Sequence, residues 1–415
     1  GSRLPAEFDV TDKIIVGDNI LSVKVYTHSD TTYLENQDML LANGIFRDVY
    51  LIDVPTVSIW DYKIISDLNG IDIIITLSDK GECYSISAEM ASAKAIVLAD
   101  CKTVKLRLEP ESPVLWNAEN PYLYDLIIKL YRCGEIVEIH SKKVGLRTSK
   151  VVGSQLLVNG VPITLKGVNR HEHNPKDGRA VSVAQIEQEL KIIKKNNINA
   201  VRCSHYPNNP AFYEIASELG IYVVDEADIE SHGCDAIGDQ GYLSKSLLWR
   251  NAYLDRTVRM VERDKNETCI IIWSIGNECG QGENIEKCAA YLRKFDVSKP
   301  ILQAQDDAHN PKFSDFRQNG YCSLSTFDTY PDNGKPVVLT EYAHSMGNSP
   351  GGLSDYWNII YHTDWFIGGF IWELKNHGFF SKGKYGKSRY LYGGDFGDFN
   401  HYSNFTLDGL LLSDG

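Results

Sequence analysis

The spacing of apolar residues changes near residue 150, and this change limits what the chain can fold into. Before that point, short segments such as residues 103–108 alternate apolar and polar side chains, a period that is typical of half-buried β-strands. After it, apolar residues recur at helical spacing, as at Ile186, Leu190 and Ile193. The sequence therefore predicts a multidomain protein with an all-β first part and an α/β second part.

The first part predicts two antiparallel β units. Its strand-like segments, such as 126–130, are short and are separated by clusters of Gly, Asp, Asn and Pro, which favours antiparallel sandwiches over a parallel sheet. Pro55 follows the strand-like segment 46–54 and is a candidate boundary. We predict one domain over residues 1–54 and an immunoglobulin-like sandwich over residues 55–148.

The second part alternates strands and helices. Ser182 and Gln185 form a capping box that starts one helix, and Gly220 is placed to end the next. The remaining pattern predicts helices at 210–219, 247–265, 285–295 and 353–361, and strands at 199–204, 221–225, 270–275, 301–305, 337–340 and 367–372. Residues 149–415 are thus predicted to form a (β/α)8 barrel. A doubly wound nucleotide-binding sheet is the alternative, but no Gly-x-Gly-x-x-Gly or Walker sequence follows a predicted strand.

Composition excludes several classes of partner. The chain of 415 residues has 42 Lys and Arg against 55 Asp and Glu, a net charge of −13, which argues against binding to nucleic acid or an anionic membrane. Its apolar runs fall far short of the ~20 residues that a membrane span needs. The nine cysteines contain no Cys-x-x-Cys pair, and no leader is evident, so we expect reduced thiols in a cytoplasmic protein.

Polar side chains collect where predicted strands of the second part end. The carboxyl ends of barrel strands meet on one face, and there the sequence places Arg202, His205, Glu226, Glu230, His232, Asn277, Glu278 and Glu341. A single such carboxylate could be a capping or salt-bridging group. Several converging carboxylates are costly to bury, and they imply a cation, a shared proton or a substrate.

Glycoside hydrolysis is a reaction that needs two opposed carboxylates. One donates a proton to the leaving oxygen, and the other attacks the anomeric carbon or activates water. Glu278 and Glu341 each follow a strongly apolar strand, so they are the candidate pair. Their sequence spacing does not give the distance that separates a retaining from an inverting mechanism.

Five strings in order carry a resemblance to a known family. They are 167–173 (GVNRHEH), 199–207 (NAVRCSHYP), 225–233 (DEADIESHG), 273–278 (WSIGNE) and 341–348 (EYAHSMGN). Together they resemble the β-galactosidases of glycoside hydrolase family two, of the large lactose-cleaving type. The resemblance runs along nearly the whole chain. It implies that residues 1–54 are part of a jelly-roll sugar-binding domain and that residues 149–415 are the catalytic TIM barrel.

The resemblance also implies catalytic roles. Glu278 matches the general acid/base and Glu341 the nucleophile, which implies retaining hydrolysis of terminal β-D-galactosides such as lactose through a covalent galactosyl-enzyme. Asn277 matches the residue that binds the sugar 2-hydroxyl. Tyr321 matches a tyrosine that hydrogen-bonds the nucleophile.

Two cation sites are implied in the same way. Glu230, His232 and Glu278 match the ligands of Mg²⁺. A second site for Na⁺ or K⁺, which also holds the sugar 6-hydroxyl, matches Asp38, the carbonyl of Phe405 and Asp408. On the residues alone, a histidine at a strand end usually only hydrogen-bonds, and Asp38 would be a turn residue. Asp408 stands where the family has Asn, so we expect an added carboxylate to change the ion affinity.

The sugar pocket is expected to combine planar polar groups with an aromatic surface. By resemblance, His171, His205 and His344 bind hydroxyls, and Trp372 forms the apolar floor. Without the resemblance, Trp372 could equally be a core residue at the end of its strand. Hydrogen bonds to the axial 4-hydroxyl would give galactose specificity.

Local departures from the family weaken part of this expectation. The family's long loop that completes a neighbouring subunit's pocket would lie near residues 85–100, where the sequence is too short for it. The segment 37–40 lacks the family's tryptophan after Asp-Met, and residues 373–376 replace an acidic-aromatic run. We expect an intact catalytic pair with weakened activity on lactose, and a homo-oligomer.

Two alternatives stay open from the sequence. A β-glucuronidase or β-mannosidase of the same family is one, although a glucuronidase should offer cationic groups for the substrate carboxylate. The other is an incomplete sugar-binding fragment that needs a partner chain.

Overall fold

A computed structural model describes residues 1–40, 42–304, 312–327, 334–347, 351–398 and 401–415. It contains an extended N-terminal segment, a β-sandwich and a curled parallel sheet wrapped by helices. Five short 3-10 helices are Asp30–Tyr33, His232–Ile237, Leu247–Trp249, Lys384–Gly386 and Ser403–Thr406. No helix of the described residues is long and apolar enough to cross a membrane.

Residues 1–57 form no strand in their described part, which is all but Leu41. The expectation of a strand at 46–54 was therefore wrong. The segment contains the apolar run 49–52, and Val49, Leu51 and Ile52 are more than half exposed. A strand also needs a neighbour to satisfy its backbone groups, and none of the described strands pairs with this segment.

The sandwich follows the predicted alternation closely. Its strands are β1 (Ile59–Ser66), β2 (Ile71–Leu77), β3 (Tyr84–Met90), β4 (Ala93–Leu98), β5 (Thr103–Leu108), β6 (Tyr124–Arg132) and β7 (Glu135–Val144). They form antiparallel sheets in the orders β1-β2-β5 and β4-β3-β6-β7. Every second residue of β2, beginning with Ile71, is buried between the sheets. Ala91 and Ser92 join β3 to β4 directly, so residues 85–100 carry no long loop.

A small antiparallel sheet lies next to the barrel strands. It consists of β8 (Ser149–Val152), β9 (Gln155–Val158) and β10 (Val161–Pro162). The Ser149 hydroxyl donates to the Ile271 carbonyl over 2.8 Å, and Leu156 and Val158 join the barrel core. This sheet therefore packs against the barrel rather than the sandwich.

Eight parallel strands form the curled sheet. They are β11 (Leu165–Asn169), β12 (Ala200–Arg202), β13 (Tyr222–Glu226), β14 (Ile270–Ser274), β15 (Ile301–Leu302), β16 (Arg317–Asn319), β17 (Val337–Tyr342) and β18 (Phe366–Ile371), in the order β15-β14-β13-β12-β11-β18-β17-β16. Asp315 joins the outer strands, because its backbone N–H donates to the Ile301 carbonyl over 2.8 Å and its carboxylate accepts from Ile301 over 2.7 Å. This brings the two ends of the sheet together as in a TIM barrel.

Helices cover the outside of the sheet, and a hairpin follows it. The helices are α1 (Val183–Lys195), α2 (Pro210–Leu219), α3 (Tyr242–Lys245), α4 (Arg250–Asp264), α5 (Glu283–Phe295), α6 (Leu324–Phe327) and α7 (Leu353–Tyr361), and the hairpin strands are β19 (Phe379–Lys382) and β20 (Ser388–Leu391). The capping box of Ser182 and Gln185 and the left-handed Gly220 that ends α2 are both present. The predicted strand at 301–305 is shorter, and its last residue lies outside the described part of the chain.

Buried polar contacts join the sandwich to the barrel. Arg147 donates to the carbonyls of Thr268 and Ile270, and the Trp116 indole donates to the Ser217 carbonyl over 2.8 Å. Both side chains are almost fully buried. A buried guanidinium without these acceptors would be costly, so the contacts fix the two units against each other.

A carboxyl below the active face should make stability depend on pH. Asp225 at the end of β13 is fully buried, accepts from the Tyr213 hydroxyl over 2.6 Å and hydrogen-bonds Asp264. Burial and the charge of Asp264 raise the pKa of Asp225 well above its usual value. The folded state therefore holds a proton that the unfolded state releases above about pH 4, so this group lowers stability as pH rises, by up to about 1.4 kcal/mol per pH unit.

We expect Asp225→Asn to remove that slope. The amide keeps an acceptor for Tyr213 and supplies a fixed donor for Asp264, so the variant should gain stability relative to the native chain between pH 5 and pH 8. Urea unfolding at several pH values measures this, with the exposed Asp364→Asn as the matched control. A stability difference that does not change with pH would contradict the prediction.

Candidate active site

Arg202, the last residue of β12, organises the carboxyl-end face of the barrel. Its guanidinium is fully buried and donates two hydrogen bonds to Glu226, of 2.8 and 2.9 Å. It also donates to Glu341 Oε1 and to Asn277 Oδ1, each over 2.9 Å. One side chain thus ties together the ends of β12, β13 and β17 and the loop after β14.

Glu226 supplies the opposite charge to this guanidinium. Burial alone would raise its pKa, but Arg202 and His205 lower it to about 2. His205 Nδ1 lies 2.8 Å from Glu226 Oε1, and the Ser274 hydroxyl donates to Oε2 over 2.6 Å. Glu226 is therefore an ionised structural partner, and its carboxylate oxygens are already engaged.

Glu341 lies in β17 with both carboxylate oxygens held. Arg202 donates to Oε1, and the Tyr321 hydroxyl donates to Oε2 over 2.7 Å. His205 Nε2 lies 3.7 Å from Oε1. Two donors, one at the end of β12 and one in the loop after β16, fix the orientation of this carboxylate, which is the geometry that a positioned nucleophile needs. The hydrogen bond from Tyr321 is present as the resemblance implied.

Glu278 lies in the loop that follows β14. It has a positive φ of 33°, and its Oε2 is 2.7 Å from His232 Nδ1. That hydrogen bond, opposed by partial burial, raises the pKa of His232 to about 9. The preceding residue, Asn277, shares the Arg202 guanidinium with Glu341. Glu278 and Glu341 therefore belong to the same cluster and not to opposite sides of the molecule.

Glu230, His232 and Glu278 offer ligand atoms within 4.8 Å of one another. Glu230 is buried, its Oε2 has no hydrogen-bond partner, and burial together with Glu278 and Asp38 raises its pKa well above the usual value. Two carboxylates and an imidazole fit Mg²⁺ when water completes the shell. The unpartnered oxygen and crowded negative charge are what a cation would relieve.

Glu230 and His232 lie in different local structures. Glu230 does pair through isolated bridges with Glu35 and Asn277, but His232 begins the 3-10 helix His232–Ile237. The turn, rather than an i, i+2 alternation, brings the imidazole onto Glu278.

A wall of rings lies beside the carboxylates. His205 stacks on Trp372 with ring centroids 5.1 Å apart, and His171 meets the same indole edge-on at 5.5 Å. Burial lowers the pKa of His171 well below its usual value, and its Nε2 has no partner. A neutral imidazole with a free nitrogen is suited to a sugar hydroxyl.

Asp408 lies behind Trp372. Its Oδ2 accepts from the indole over 2.9 Å and is 3.4 Å from His344 Nε2, and its carboxyl also hydrogen-bonds Glu373. Burial and the neighbouring Glu373 raise the pKa of Asp408 to about 9, and burial raises that of Glu373 to about 8. Both carboxyls therefore hold protons at neutral pH. The effect of the Asp408 carboxyl on ion affinity stays a prediction.

The residues assigned to a monovalent cation do not fit it well. Asp408 is engaged by Trp372 and Glu373, whereas Asp38 is half-buried and interacts electrostatically with His232, His205 and Glu341. Phe405 lies in the 3-10 helix Ser403–Thr406, and its ring is 6.2 Å from that of His344. The Na⁺ or K⁺ site therefore stays a prediction.

Sequence reasoning missed the residues that support the site. The sequence places Glu226 on the active face but does not show that it pairs with Arg202. It marks Glu373 only as part of a segment that differs from the family. Asn36 was not singled out at all. A buried arginine at a strand end requires a carboxylate nearby, so Glu226 could have been found, whereas Asn36 lies some 200 residues from the loop that it contacts.

Asn36 holds the loop that carries two of the candidate metal ligands. Its side-chain oxygen accepts from the Gly233 N–H over 2.7 Å, and its amide donates to the Tyr402 hydroxyl. Its backbone N–H donates to the Glu230 carbonyl over 3.2 Å, and Glu230 N–H donates to Leu34 over 2.8 Å. The N-terminal segment thereby extends the active face of the barrel.

Comparison with protein families gives three matches along the chain. Residues 1–55 match "Glycosyl hydrolases family 2, sugar binding domain", residues 58–147 match "Glycosyl hydrolases family 2", and residues 149–415 match "Glycosyl hydrolases family 2, TIM barrel domain".

Curated relatives and solved structures show similar proteins. The chain is 39% identical to a β-galactosidase of Pseudoalteromonas haloplanktis and 36% identical to one of Pectobacterium atrosepticum, in each case over 100% of this chain and 43% of the relative. It therefore spans less than half the length of these relatives. A β-glucuronidase structure from Ruminococcus gnavus has a TM-score of 0.69 at 20% identity, covering 87% of this chain and 67% of its own. One from Dictyoglomus thermophilum has a TM-score of 0.68 at 20% identity, with coverage of 87% and 66%.

We expect Asn36→Ala to loosen the loop at residues 230–234. A lost hydrogen bond of about 1 kcal/mol corresponds to roughly fivefold faster local hydrogen exchange, measured by mass spectrometry on peptides from this loop. Gly233→Ala should also speed hydrogen exchange in this loop, because a Cβ at Gly233 would lie 2.3 Å from Asn36 Oδ1 and displace it.

The double variant separates this contact from a general loss of structure. Among the described residues, and apart from the chain neighbours of Gly233, only Asn36 has atoms within 4 Å of a Cβ added at this glycine. Once the Asn36 side chain is removed, the added methyl causes no clash, so the loop of the double variant should exchange no faster than that of either single variant. Asn358→Ala, an exposed asparagine on α7, is the matched control. Native exchange rates in both single variants would show that Asn36 does not hold the loop.

Proposed function

Since the chain belongs to glycoside hydrolase family 2, we propose that it hydrolyses terminal β-D-galactosides with retention of configuration. The observation that carries the proposal is the single guanidinium of Arg202, which holds both Glu341 and the neighbour of Glu278. The β-galactosidase names of the relatives support galactoside as the substrate class.

Glu341 is proposed as the nucleophile. Arg202 and Tyr321 each donate to one of its oxygens, so the orientation of the carboxylate is fixed before substrate arrives. Attack on the anomeric carbon would form the covalent galactosyl-enzyme. The two donors would also stabilise the carboxylate when it leaves in the second step.

Glu278 is proposed as the acid/base. It would donate a proton to the leaving oxygen in the first step and accept one from water in the second. His232 lies against its Oε2 and orients the carboxyl. When bound to Glu230, His232 and Glu278, Mg²⁺ would supply positive charge that favours the ionised form of Glu278 after proton transfer.

Asn277 and the ring wall are proposed to bind the sugar. Arg202 donates to Asn277 Oδ1, so the amide nitrogen would be the atom that donates to the 2-hydroxyl. Trp372 and the neutral His171 would meet a C–H face and a hydroxyl. Glu230 and Asp38 crowd the same site with acidic groups, and Arg202 is already neutralised by Glu226. A neutral sugar is therefore favoured over a glucuronide.

Replacement of Glu341 or Glu278 should abolish hydrolysis or lower its rate strongly. We expect Glu341→Gln to remove turnover of an aryl β-galactoside, because the amide is not a nucleophile. Glu278→Gln should lower kcat by about 10²–10⁴ on lactose, whereas kcat/KM for an aryl galactoside should fall less, because its leaving group needs little protonation in the first step. Initial rates with the purified chain measure both.

The exposed Glu187→Gln on α1 is the control. Mass spectrometry with a 2-fluoro galactosyl fluoride should detect a covalent adduct on Glu341. An inverted anomer in the first product, or equal rates in Glu341→Gln and the native chain, would contradict the retaining mechanism. Turnover of an aryl glucuronide above that of the galactoside would reverse the substrate assignment.

We expect the native chain to bind Mg²⁺ and Glu230→Gln to bind it at least about tenfold more weakly. Isothermal titration calorimetry on EDTA-treated protein measures this without reference to turnover. Glu187→Gln should bind as the native chain does. Native affinity in Glu230→Gln would place the metal elsewhere.

A further inference from the structure

Cys83 and Cys133 face each other at one end of the sandwich, far along the chain from the catalytic residues. The antiparallel ladder of β3 and β6 pairs Tyr84 with Arg132, so the next position in register pairs the two cysteines. The Cys133 N–H donates to the Cys83 carbonyl over 2.7 Å. Opposed residues of such a ladder have Cα atoms about 4.5–5.5 Å apart, which lies within the range that a disulfide spans.

The two thiols are close and accessible. The thiol of Cys83 interacts with that of Cys133 and raises its pKa. Both cysteines are exposed and free. Five of the other cysteines are buried, and a small-molecule oxidant would not reach them directly.

The backbone conformation at both positions is unfavourable for cysteine, so the needs of folding do not explain these residues. Cys133 and Gly134 have φ values of 49° and 88° and form the two-residue turn between β6 and β7, where Asn and Gly are favoured. Cys83 also has a positive φ, of 65°. Two side chains that cost backbone strain, meet each other and face solvent suggest a chemical role.

We propose that Cys83 and Cys133 are a redox-responsive dithiol that closes to a disulfide on reaction with small-molecule disulfides of the glutathione type. The thiolate of one cysteine attacks the oxidised glutathione, forming a mixed disulfide and releasing one glutathione thiol. The second cysteine then displaces the other glutathione. The balance is two protein thiols and one glutathione disulfide, giving one protein disulfide and two glutathione thiols.

The disulfide would link the start of β3 covalently to the turn after β6. The bond would enclose residues 83–133, a long loop whose closure restricts the unfolded chain. We expect the thermal midpoint of the oxidised protein to lie about 5 °C above that of the reduced protein. Hydrolysis should be unchanged, because the pair touches none of the proposed catalytic residues.

The test exposes the purified full chain to oxidised glutathione and then counts thiols in denaturant. The count should fall from nine to seven, the intact mass should fall by two hydrogens, and proteolysis should release a linked peptide pair containing Cys83 and Cys133.

The variants make the result specific. In Cys83→Ser the remaining Cys133 should keep a glutathionyl adduct, since no second thiol resolves it, and Cys133→Ser should behave likewise at Cys83. Cys101→Ser is the matched control, because Cys101 is also exposed but its thiol contacts the Thr103 carbonyl over 3.0 Å. Glutathionyl adducts without an internal disulfide in the native chain, a disulfide that persists in Cys83→Ser, or an unchanged thermal midpoint after oxidation would each overturn the proposal.

Discussion

The guanidinium of Arg202 is fully buried. It donates to the side chains of Asn169, Glu226, Asn277 and Glu341 and to the Thr340 carbonyl. Burying such a charge is costly unless every donor finds a partner. Glu226 supplies the countercharge, while Glu341 and Asn277 are drawn to the same point. The need to satisfy one buried cation therefore sets the relative placement of groups that the proposed chemistry uses.

Charge is divided within the site according to what each carboxyl contacts. Glu226 is ionised because Arg202 and His205 outweigh its burial, whereas Asp408 and Glu373 hold protons because burial and mutual proximity dominate. Glu230 is crowded by like charges and has an unpartnered oxygen. These three environments lie close together, so a single residue type serves as a counterion, as a neutral donor and as a candidate metal ligand.

Sequence periodicity predicted those elements whose stability is local or whose apolar pattern is strong. The capping box of Ser182 and the apolar stripe of α2 are contained in a few residues, and they appear where predicted. Residues 46–54 are also rich in apolar side chains and still form no strand, because a local pattern does not contain the neighbour that a strand needs. Asn36 and the Glu373–Asp408 pair could not be predicted for the same reason: each depends on a contact across distant parts of the chain. The five family strings pointed to candidate site residues that lie close together in the barrel, yet they gave no information on the protonation of the carboxyls.

The bridge between Glu35 and Glu230 limits how the barrel could be combined with a different N-terminal segment. Because the loop that carries Glu230 and His232 is held by backbone from outside the barrel, residues 149–415 lack part of the support of these candidate metal ligands. Grafting them onto a different N-terminal partner would preserve the strand ends but leave Glu230 and His232 without their outer support. Recombination within this architecture must therefore carry the short Leu34–Asn36 stretch along with the barrel.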